Sequence, residues 1–455
     1  MSNVQLTGAE RAVVVGLGKT GLSMVRHLLS RGVRVAVTDS RAEPPGRALL
    51  RSLDPEVVVR AGGFDAALLQ EADLVVLSPG VAPLGPFFEV ARARGLPLIG
   101  DIELFARAAR APIAGISGTN GKSTVTVLLG LMAERAGRAV RVGGNLGPPA
   151  LDLLPAPGGS VTPPQLYVLE LSSFQLESTE SLALAAGTVL NVTPDHLDRY
   201  ADLSAYAAAK ARLFAHCECA VVNLDDARVV PMARAGQRRL SFSLRAAAGA
   251  DFELRRLDGE GWLAAHGEPL LALQELRITG LHNAANALAA LALAEALGLP
   301  RAPCLAALRE FRGLAHRMQC VAEINGVRYI DDSKGTNVGA TLAAVAGLRG
   351  GAALLVIAGG DGKGQDFTPL RAGFAGAVRC ALLIGQDAQR LGATLAGVCE
   401  CHYCPTLEAA VALAAALARP GEMVLLSPAC ASLDMFRDYA HRGEVFAAAV
   451  RRLAA

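Results

Sequence analysis

Short runs of branched and other apolar residues alternate along this chain with longer stretches rich in Ala and Leu. Unbroken apolar runs suit strands covered on both faces, and the longer stretches suit the helices that cover them. The pattern therefore predicts βαβ units and parallel sheets. The runs fall into three blocks. Residues 1–107 hold VVVG (13–16), VRVAVTD (33–39) and LVVLSPG (74–80). Residues 108–313 open with PIAGISGTNGKST (112–124) and continue through LYVLELSS (166–173) and TVLNVTPDHLD (188–198). The last of these reads as a strand running straight into Asp195 and His196. Residues 314–455 hold AALLVIAGG (352–360), CALLIGQ (380–386) and EMVLLSPA (422–429). Most runs end in Gly, Ser or Pro, as expected where ligand-binding loops leave the carboxyl ends of parallel strands. PAPGGSVTPP (155–164) reads as a surface loop.

Composition narrows the class of protein. A length of 455 residues suits about three domains. Hydrophobic residues make up 52% and charged residues 19%, which supplies large cores and excludes intrinsic disorder. Lys plus Arg number 44 against 42 Asp plus Glu, so there is no basic footprint for nucleic acid. The first apolar run, Val13–Val15, follows Glu10 and Arg11 and is too short for a secretory signal. The most apolar helical stretch, 284–297, carries Glu295 and falls short of the roughly 20 residues of a membrane span. These features predict a cytoplasmic protein with its nine cysteines as thiols. Cys399-Glu400-Cys401-His402-Tyr403-Cys404 has the spacing of metal ligands, but a structural zinc site usually draws on two separated pairs. His216, Cys217 and Cys219 could supply a partner group, yet nothing joins the two regions. Free thiols on and beside a strand are the expectation.

Two glycine loops carry the candidate chemistry. In VVVGLGKTG (13–21), Gly16, Gly18 and Gly21 take the positions of G-x-G-x-x-G after a strand. Small residues let backbone approach a pyrophosphate, and the next helix turns its positive end toward it. Asp39 closes the following strand 18 residues after Gly21, where an acid commonly takes ribose hydroxyls. Alone, this reads as a nicotinamide-dinucleotide site or as a bare tight turn. GISGTNGKST (115–124) is the stronger signal, with Gly121-Lys122-Ser123 as the core of a phosphate loop. Backbone N–H groups would cradle phosphates, Lys122 would supply a point charge, and the Ser123 hydroxyl would reach Mg²⁺. The strict pattern has Gly five places before Gly121, where this chain has Ile116 between Gly115 and Gly118. Such a loop needs an acid for its cation at the end of a neighbouring strand. Glu170 fits, because a lone carboxylate in an apolar run costs several kcal/mol unless paired. Asp195 and His196 offer a second such place.

GTNGKST, ELSSFQLE, NVTPDHLDRY, LHNAANALAA, HR, DDSKGTN, GGDGKG and SPACASLDMF occur here in one order. Together they resemble the Mur ligases, ATP-dependent amide-bond synthetases of peptidoglycan precursor assembly, over essentially the whole chain. DDSKGTN (331–337) and SPACASLDMF (427–436) discriminate most, and resemble the branch that adds D-glutamate to UDP-N-acetylmuramoyl-L-alanine.

The resemblance implies an α/β fold of three domains. These are an N-terminal Rossmann-like domain for the UDP moiety (1–107), a central P-loop-type ATPase with a mainly parallel sheet (108–313) and a C-terminal Rossmann-like domain for the amino acid (314–455). It replaces the nicotinamide reading of the first loop. Gly16, Gly18, Lys19 and Thr20 would hold a uridine diphosphate, with Asp39 and Ser40 near the uracil and Ser78, Pro79 and Gly80 completing the pocket. Asn145, in GGNLG (143–147), would sit near the sugar-peptide substrate and the metals. Gly118, Thr119, Asn120, Gly121, Lys122, Ser123 and Thr124 would hold the ATP phosphates, and Asn283 and Asn286 the adenine. Arg317, Asp332 and Lys334 would reach ATP from the third domain. Two Mg²⁺ ions are implied, one at Ser123 and Glu170 and one at His196 and Lys210, the lysine as a carbamate. The implied catalytic set is Lys122, Glu170, His196 and Lys210. D-Glutamate would meet Lys363, Thr336, Ser432, the backbone at Leu433 and Tyr439. A monomer without nucleic-acid partners is expected.

Without the resemblance, Lys210 reads as a solvated helix lysine and Lys363 as an ordinary loop lysine. Asn283 and Asn286 then read as polar residues at a helix start. Rival classes explain less. A nicotinamide dehydrogenase leaves GTNGKST unused, and a non-catalytic nucleotide-binding regulator has no need of Glu170, His196 and Lys334 together. A folylpolyglutamate-type ligase would leave residues 1–107 without a role.

Overall fold

The computed structural model describes residues 10–156, 162–278, 280–348 and 353–453, and in it the three blocks become three sheets. The reading of 155–164 as a loop, and Ala352 at the head of its apolar run, lie partly or wholly outside the described residues. In the first block β1 (Arg11–Val15), β2 (Arg34–Asp39), β3 (Val58–Ala61), β4 (Leu74–Leu77) and β5 (Leu98–Gly100) form a parallel sheet in the order β3-β2-β1-β4-β5. Strands β3 and β5 escaped the sequence pattern because they are short edge strands, and β3 is largely exposed. The connections reverse direction between β1 and β4, which opens a crevice at the carboxyl ends of those two strands.

The second sheet comprises β6 (Ile113–Ser117), β7 (Val140–Gly144), β8 (Leu166–Glu170), β9 (Leu184–Val189), β10 (Cys217–Asn223), β11 (Arg238–Ser243), β12 (Phe252–Leu257), β13 (Glu260–Ala265) and β14 (Glu268–Ala272). Its order is β14-β13-β12-β11-β10-β9-β6-β8-β7, parallel from β7 to β12 and closed by an antiparallel meander. The helix Leu281–Ala296 buries its Ala-rich body against this sheet and the helix Lys122–Arg135, and its first two turns bring Asn283 and Asn286 to a cleft shared with Asn120 and Gly121. Strand β9 stops at Val189, earlier than the run 188–198 suggested. Beyond it the backbone serves the phosphate loop: Leu190 N–H donates to Ser117 and the Asn191 carbonyl accepts from Thr119 N–H. Asp195 and His196 therefore stand on a loop, and His196 takes a left-handed φ of 56°.

The third sheet, β15 (Gln319–Ile324), β16 (Val327–Asp331), β17 (Leu354–Gly359), β18 (Val378–Ile384), β19 (Glu400–Tyr403) and β20 (Met423–Leu426), has the order β15-β16-β20-β17-β18-β19. Only β15 runs antiparallel. Among the described residues no helix is long and apolar enough to cross a membrane.

The first glycine loop separates two reasons for glycine. A Cβ on Gly21 would lie 1.9 Å from the Gly16 carbonyl oxygen, so that residue permits helix and strand to touch. At Gly18 a Cβ would meet nothing within 4 Å. Gly21→Ala is expected to destabilise the N-terminal domain by about 2 kcal/mol or more. Gly18→Ala should change stability by less than about 0.5 kcal/mol. Urea unfolding of the two variants checks the contrast.

Candidate active site

The phosphate loop leaves β6 and enters the helix Lys122–Arg135 through two residues with positive φ, Gly118 (141°) and Gly121 (85°). It is pinned from the segment after β9. Asn191 accepts from Asn120 N–H through its side-chain oxygen at 2.9 Å and donates to the Asn120 carbonyl at 3.1 Å. Thr193 N–H donates to the Thr119 hydroxyl at 3.0 Å. Lys122 folds back over the loop, its Nζ donating to the carbonyls of Gly118 (3.0 Å) and Thr119 (2.8 Å).

Glu170 ends β8 and is only 2% exposed. Ser123 donates to its Oε2 at 2.5 Å and Asn145 Nδ2 to its Oε1 at 2.7 Å. Burial works to raise its carboxyl pKa, but Lys122, Ser123 and Asn145 outweigh burial and hold it below the ordinary glutamate range. Desolvation in turn draws Lys122 below the usual lysine value, opposed by Glu170 and Asp195. Arg317, from the third domain, donates to the Ser123 hydroxyl at 2.8 Å.

Lys210 lies on the helix Leu203–Ala211 and is 1% exposed, not solvated as its helix context suggested. Its Nζ donates to the Gly118 carbonyl at 2.8 Å and sits over the Tyr206 ring at 4.4 Å. Burial, then Lys122, drives its pKa well below the ordinary lysine value. His196 packs edge-on against Phe174, with ring centroids 4.8 Å apart, and burial pulls its pKa down to about 4, leaving a neutral imidazole. Asp195 accepts from Lys363 Nζ at 2.8 Å and from Asn337 Nδ2 at 3.2 Å. Lys363 and Asn337 both come from the third domain. Burial would raise the Asp195 carboxyl, but Lys363 outweighs it and the net shift is downward.

These groups line one cavity, which holds Lys122, Ser123, Asn145, Glu170, His196 and Lys210 from the central domain and Arg317, Lys334, Thr336 and Lys363 from the third. An adjoining cleft shares Asn120, Gly121, Arg317 and Lys334 and is walled by Thr124, Asn283, Asn286 and Asp332. Asn286 donates to Asn283 Oδ1 at 3.2 Å. Burial raises Asp332 to about 7, against a hydrogen bond from Ser427. Burial and then Arg317 lower Lys334 to about 7, and its Nζ lies 3.8 Å from the centre of the Tyr439 ring. Ser432 and exposed Leu433 border the site indirectly, because Ala431 forms a two-bond bridge with Asp361 in the Lys363 loop.

In the first domain, Gly16, Gly18, Lys19 and Thr20 follow β1, while Ser78, Pro79 and Gly80 follow β4 across the crevice. The Ser78 hydroxyl donates to the Gly16 carbonyl at 2.9 Å. Lys19 Nζ reaches the Gly147 carbonyl at 3.0 Å, tying the loop to the segment that carries Asn145. Ser40 is exposed beyond β2, whereas Asp39 turns inward at 1% exposure. Asp39 accepts from Leu17 N–H at 2.7 Å and from Arg41, and these bonds outweigh burial to hold its carboxyl at about 2. Its carboxylate is thus engaged in shaping the loop. Ser78 and Pro79 share a cleft with Phe174, which also lines the reactive cavity and so connects the first domain to it.

Phe174, Tyr206, Asn191, Asn337 and Arg442 were not singled out by sequence. Arg442 is wholly buried and donates to the Ser333 carbonyl (2.8 Å) and hydroxyl (3.0 Å) and to the carbonyls of Cys430 (3.1 Å) and Ala431 (3.2 Å). It binds DDSKGTN to SPACASLDMF. Asn337 lies inside the first of these motifs, Phe174 inside ELSSFQLE and Asn191 at the head of NVTPDHLDRY, so motif membership was the available signal for those three. Among the described residues, the group of His, Cys and acidic side chains that could surround an ion is Cys380, Glu400 and His402, away from this cavity.

A phosphate loop, a buried acid beside its serine and a third domain that delivers cations to the same cavity define a nucleotide-dependent ligase of three α/β domains. The family descriptions "Mur ligase MurD-like, N-terminal domain", "Mur ligase middle domain" and "Mur ligase, glutamate ligase domain" match residues 10–100, 116–294 and 316–430. The chain belongs to the Mur ligase family, and is an ATP-dependent ligase that forms amide bonds. It is 52% identical to the UDP-N-acetylmuramoylalanine--D-glutamate ligase of Nitrosococcus oceani over 445 residues, covering 98% of this chain and 97% of the relative. It is likewise 52% identical to the ligase of the same name from Methylobacillus flagellatus over 449 residues, with 98% and 97% covered. Among solved structures, UDP-N-acetylmuramate-alanine ligase MurC of Thermotoga maritima has a TM-score of 0.62 at 20% identity, covering 98% of this chain and 99% of that one. A pseudomurein peptide ligase type C from Methanothermus fervidus has a TM-score of 0.61 at 15% identity, with 98% and 100% covered. These likenesses show the fold.

Proposed function

We propose that this ligase joins the amine of D-glutamate to the carboxylate of UDP-N-acetylmuramoyl-L-alanine in cytoplasmic peptidoglycan precursor synthesis, acting as a monomer. The observation that carries the reading is the single cavity onto which Lys122, Glu170, Lys210 and Lys363 all open. The names of relatives about half identical along the whole chain supply the substrates. A carboxylate is a poor electrophile, so the γ-phosphoryl of ATP passes first to the substrate carboxylate, giving an acyl phosphate and ADP. The amine attacks the acyl carbon, and the tetrahedral intermediate expels phosphate as the nitrogen loses its proton. Phosphoryl transfer between anions is governed by positioning and charge neutralisation.

The residues fit the expected cations. The Ser123 and Glu170 oxygens meet at 2.5 Å in a buried pair, with the carboxylate held ionised, which is the hard oxygen set that Mg²⁺ prefers. His196 offers a neutral imidazole. Burial and Lys122 push Lys210 toward the neutral amine, the form that adds to CO₂: its nitrogen bonds the carbon, a proton leaves, and a carbamate anion replaces the neutral amine. Bound there, Mg²⁺ would neutralise phosphoryl oxygens. Lys122 exchanges its two loop carbonyls for phosphate oxygens, and Arg317 adds a second charge from the third domain. Asn283 and Asn286 face the base, and Asp332 the ribose. In the first domain the loops after β1 and β4 hold the UDP moiety. Lys363 leaves Asp195 for a carboxylate of D-glutamate, beside Thr336, Ser432, Leu433 and Tyr439. The closed third domain keeps water from the acyl phosphate.

Phosphate release from ATP, with UDP-N-acetylmuramoyl-L-alanine present and amino acids supplied singly, tests the reading. Release with D-glutamate alone supports it, whereas release only with L-alanine or diaminopimelate moves the specificity elsewhere. Lys210→Ala should lose activity by about 100-fold or more and recover partly with added short carboxylates. Full activity in that variant would eliminate the carbamate. Lys363→Ala should raise the KM for D-glutamate by about tenfold or more while leaving that for ATP nearly unchanged. Equal increases in both would remove Lys363 from the amino-acid site.

A further inference from the structure

The CECHYC segment that sequence spacing singled out is split by the sheet. Residues alternate faces along a strand, so Cys399 and Cys401 pack toward one apolar layer while Glu400, His402 and Cys404 turn to the other. Three cysteines of one segment therefore cannot surround one ion. The neighbouring strand changes the picture. β18 pairs in parallel with β19, the outermost strand of the sheet, and places Cys380 directly opposite Glu400 and Leu382 opposite His402. Cys380 thus stands on the same face as Glu400 and His402. The Cys380 sulfur, a Glu400 oxygen and a His402 ring nitrogen all lie within 4.8 Å of one another, and His402 Nε2 lies 2.8 Å from Glu400 Oε1.

We propose that Cys380, Glu400 and His402 form a zinc site on the outer edge of the third domain, separate from the catalytic cavity. A tetrahedral ion with one sulfur and two nitrogen or oxygen ligands spaces those atoms about 3.3–3.8 Å apart. The three atoms lie within 4.8 Å, and Glu400 and His402, on the edge strand and part-exposed, have side-chain rotations with which to close the remaining gap. Thiolate, imidazole and carboxylate together suit a borderline ion such as Zn²⁺ and disfavour Mg²⁺. One thiolate and one carboxylate also neutralise its charge. Cys380 forms the buried floor, whereas the Glu400 and His402 side chains are 55% and 31% exposed, so the ion has a route in and water completes the shell. Cys380 sits in the amino half of β18, while the Lys363 loop leaves the opposite, carboxyl end of adjacent β17. The site therefore staples the outermost strand to the sheet rather than entering the reaction.

The test uses full-length protein stripped with a chelator, then saturated with Mg²⁺ and a non-hydrolysable ATP analogue so that the central cleft is occupied. Zn²⁺ titrated against a chromophoric indicator should bind at one equivalent. Co²⁺ in its place should give a thiolate-to-metal charge-transfer absorption in the near ultraviolet. His402→Gln, at a part-exposed position on the edge strand, should weaken Zn²⁺ binding by more than about tenfold and abolish the cobalt band, with an unchanged unfolding midpoint for the metal-free protein. Cys399→Ser, on the other face, should leave both unchanged. Absence of stoichiometric Zn²⁺, equal binding by wild type and His402→Gln, or loss of binding in Cys399→Ser would each overturn the site.

Discussion

A carboxylate buried at the end of β8 is the constraint around which the cleft is built. Glu170 is almost wholly buried, and leaving such a charge uncompensated costs several kcal/mol. Its compensation comes from separate elements: the serine and lysine of the phosphate loop and the amide of the segment after β7. The guanidinium of Arg317 holds the serine in turn. No single segment can satisfy the acid, so its ionisation depends on the assembled fold. The same arrangement leaves a carboxylate of lowered pKa beside the glycine loop 118–124.

The third domain adds to this electrostatic arrangement through polar contacts. Arg317 to Ser123, Asn337 to Asn120 and Asp195, and Lys363 to Asp195 are polar links across the cleft. Polar interdomain contacts exchange readily for water. Within the third domain, Arg442 supplies rigidity. Its guanidinium holds four oxygens on two motif loops, a geometry that a lysine's point charge cannot reproduce. The first domain communicates through the segment 143–147, which takes Lys19 at Gly147 and offers Asn145 to Glu170.

Much of this was legible in the residues. The apolar runs marked strands of all three sheets, and the spacing of Gly121-Lys122-Ser123 and the apolar setting of Glu170 marked residues that share one cavity. Where the local pattern alone was misleading, another part of the chain engages the groups. Asp39 looks available to a ribose in sequence, yet its oxygens are taken by Leu17 and Arg41. The run 188–198 looks like one strand, yet its second half gives its backbone to the phosphate loop. Lys210 looks solvated, yet the Gly118 carbonyl and the Tyr206 ring enclose it.

The sequence by itself determined the three-block α/β plan, both glycine loops and the family. Those properties rest on local periodicity and on residues close together in the chain, which neighbours elsewhere cannot erase. Tertiary structure decided which charges are buried, which lysines have their pKa pushed down by burial, and which side chains share a cavity or a face. Asp195 meets Lys363 across 168 positions and Ser123 meets Arg317 across 194. Desolvation and ion pairing depend on distances in space, and over such separations only the packed fold sets them.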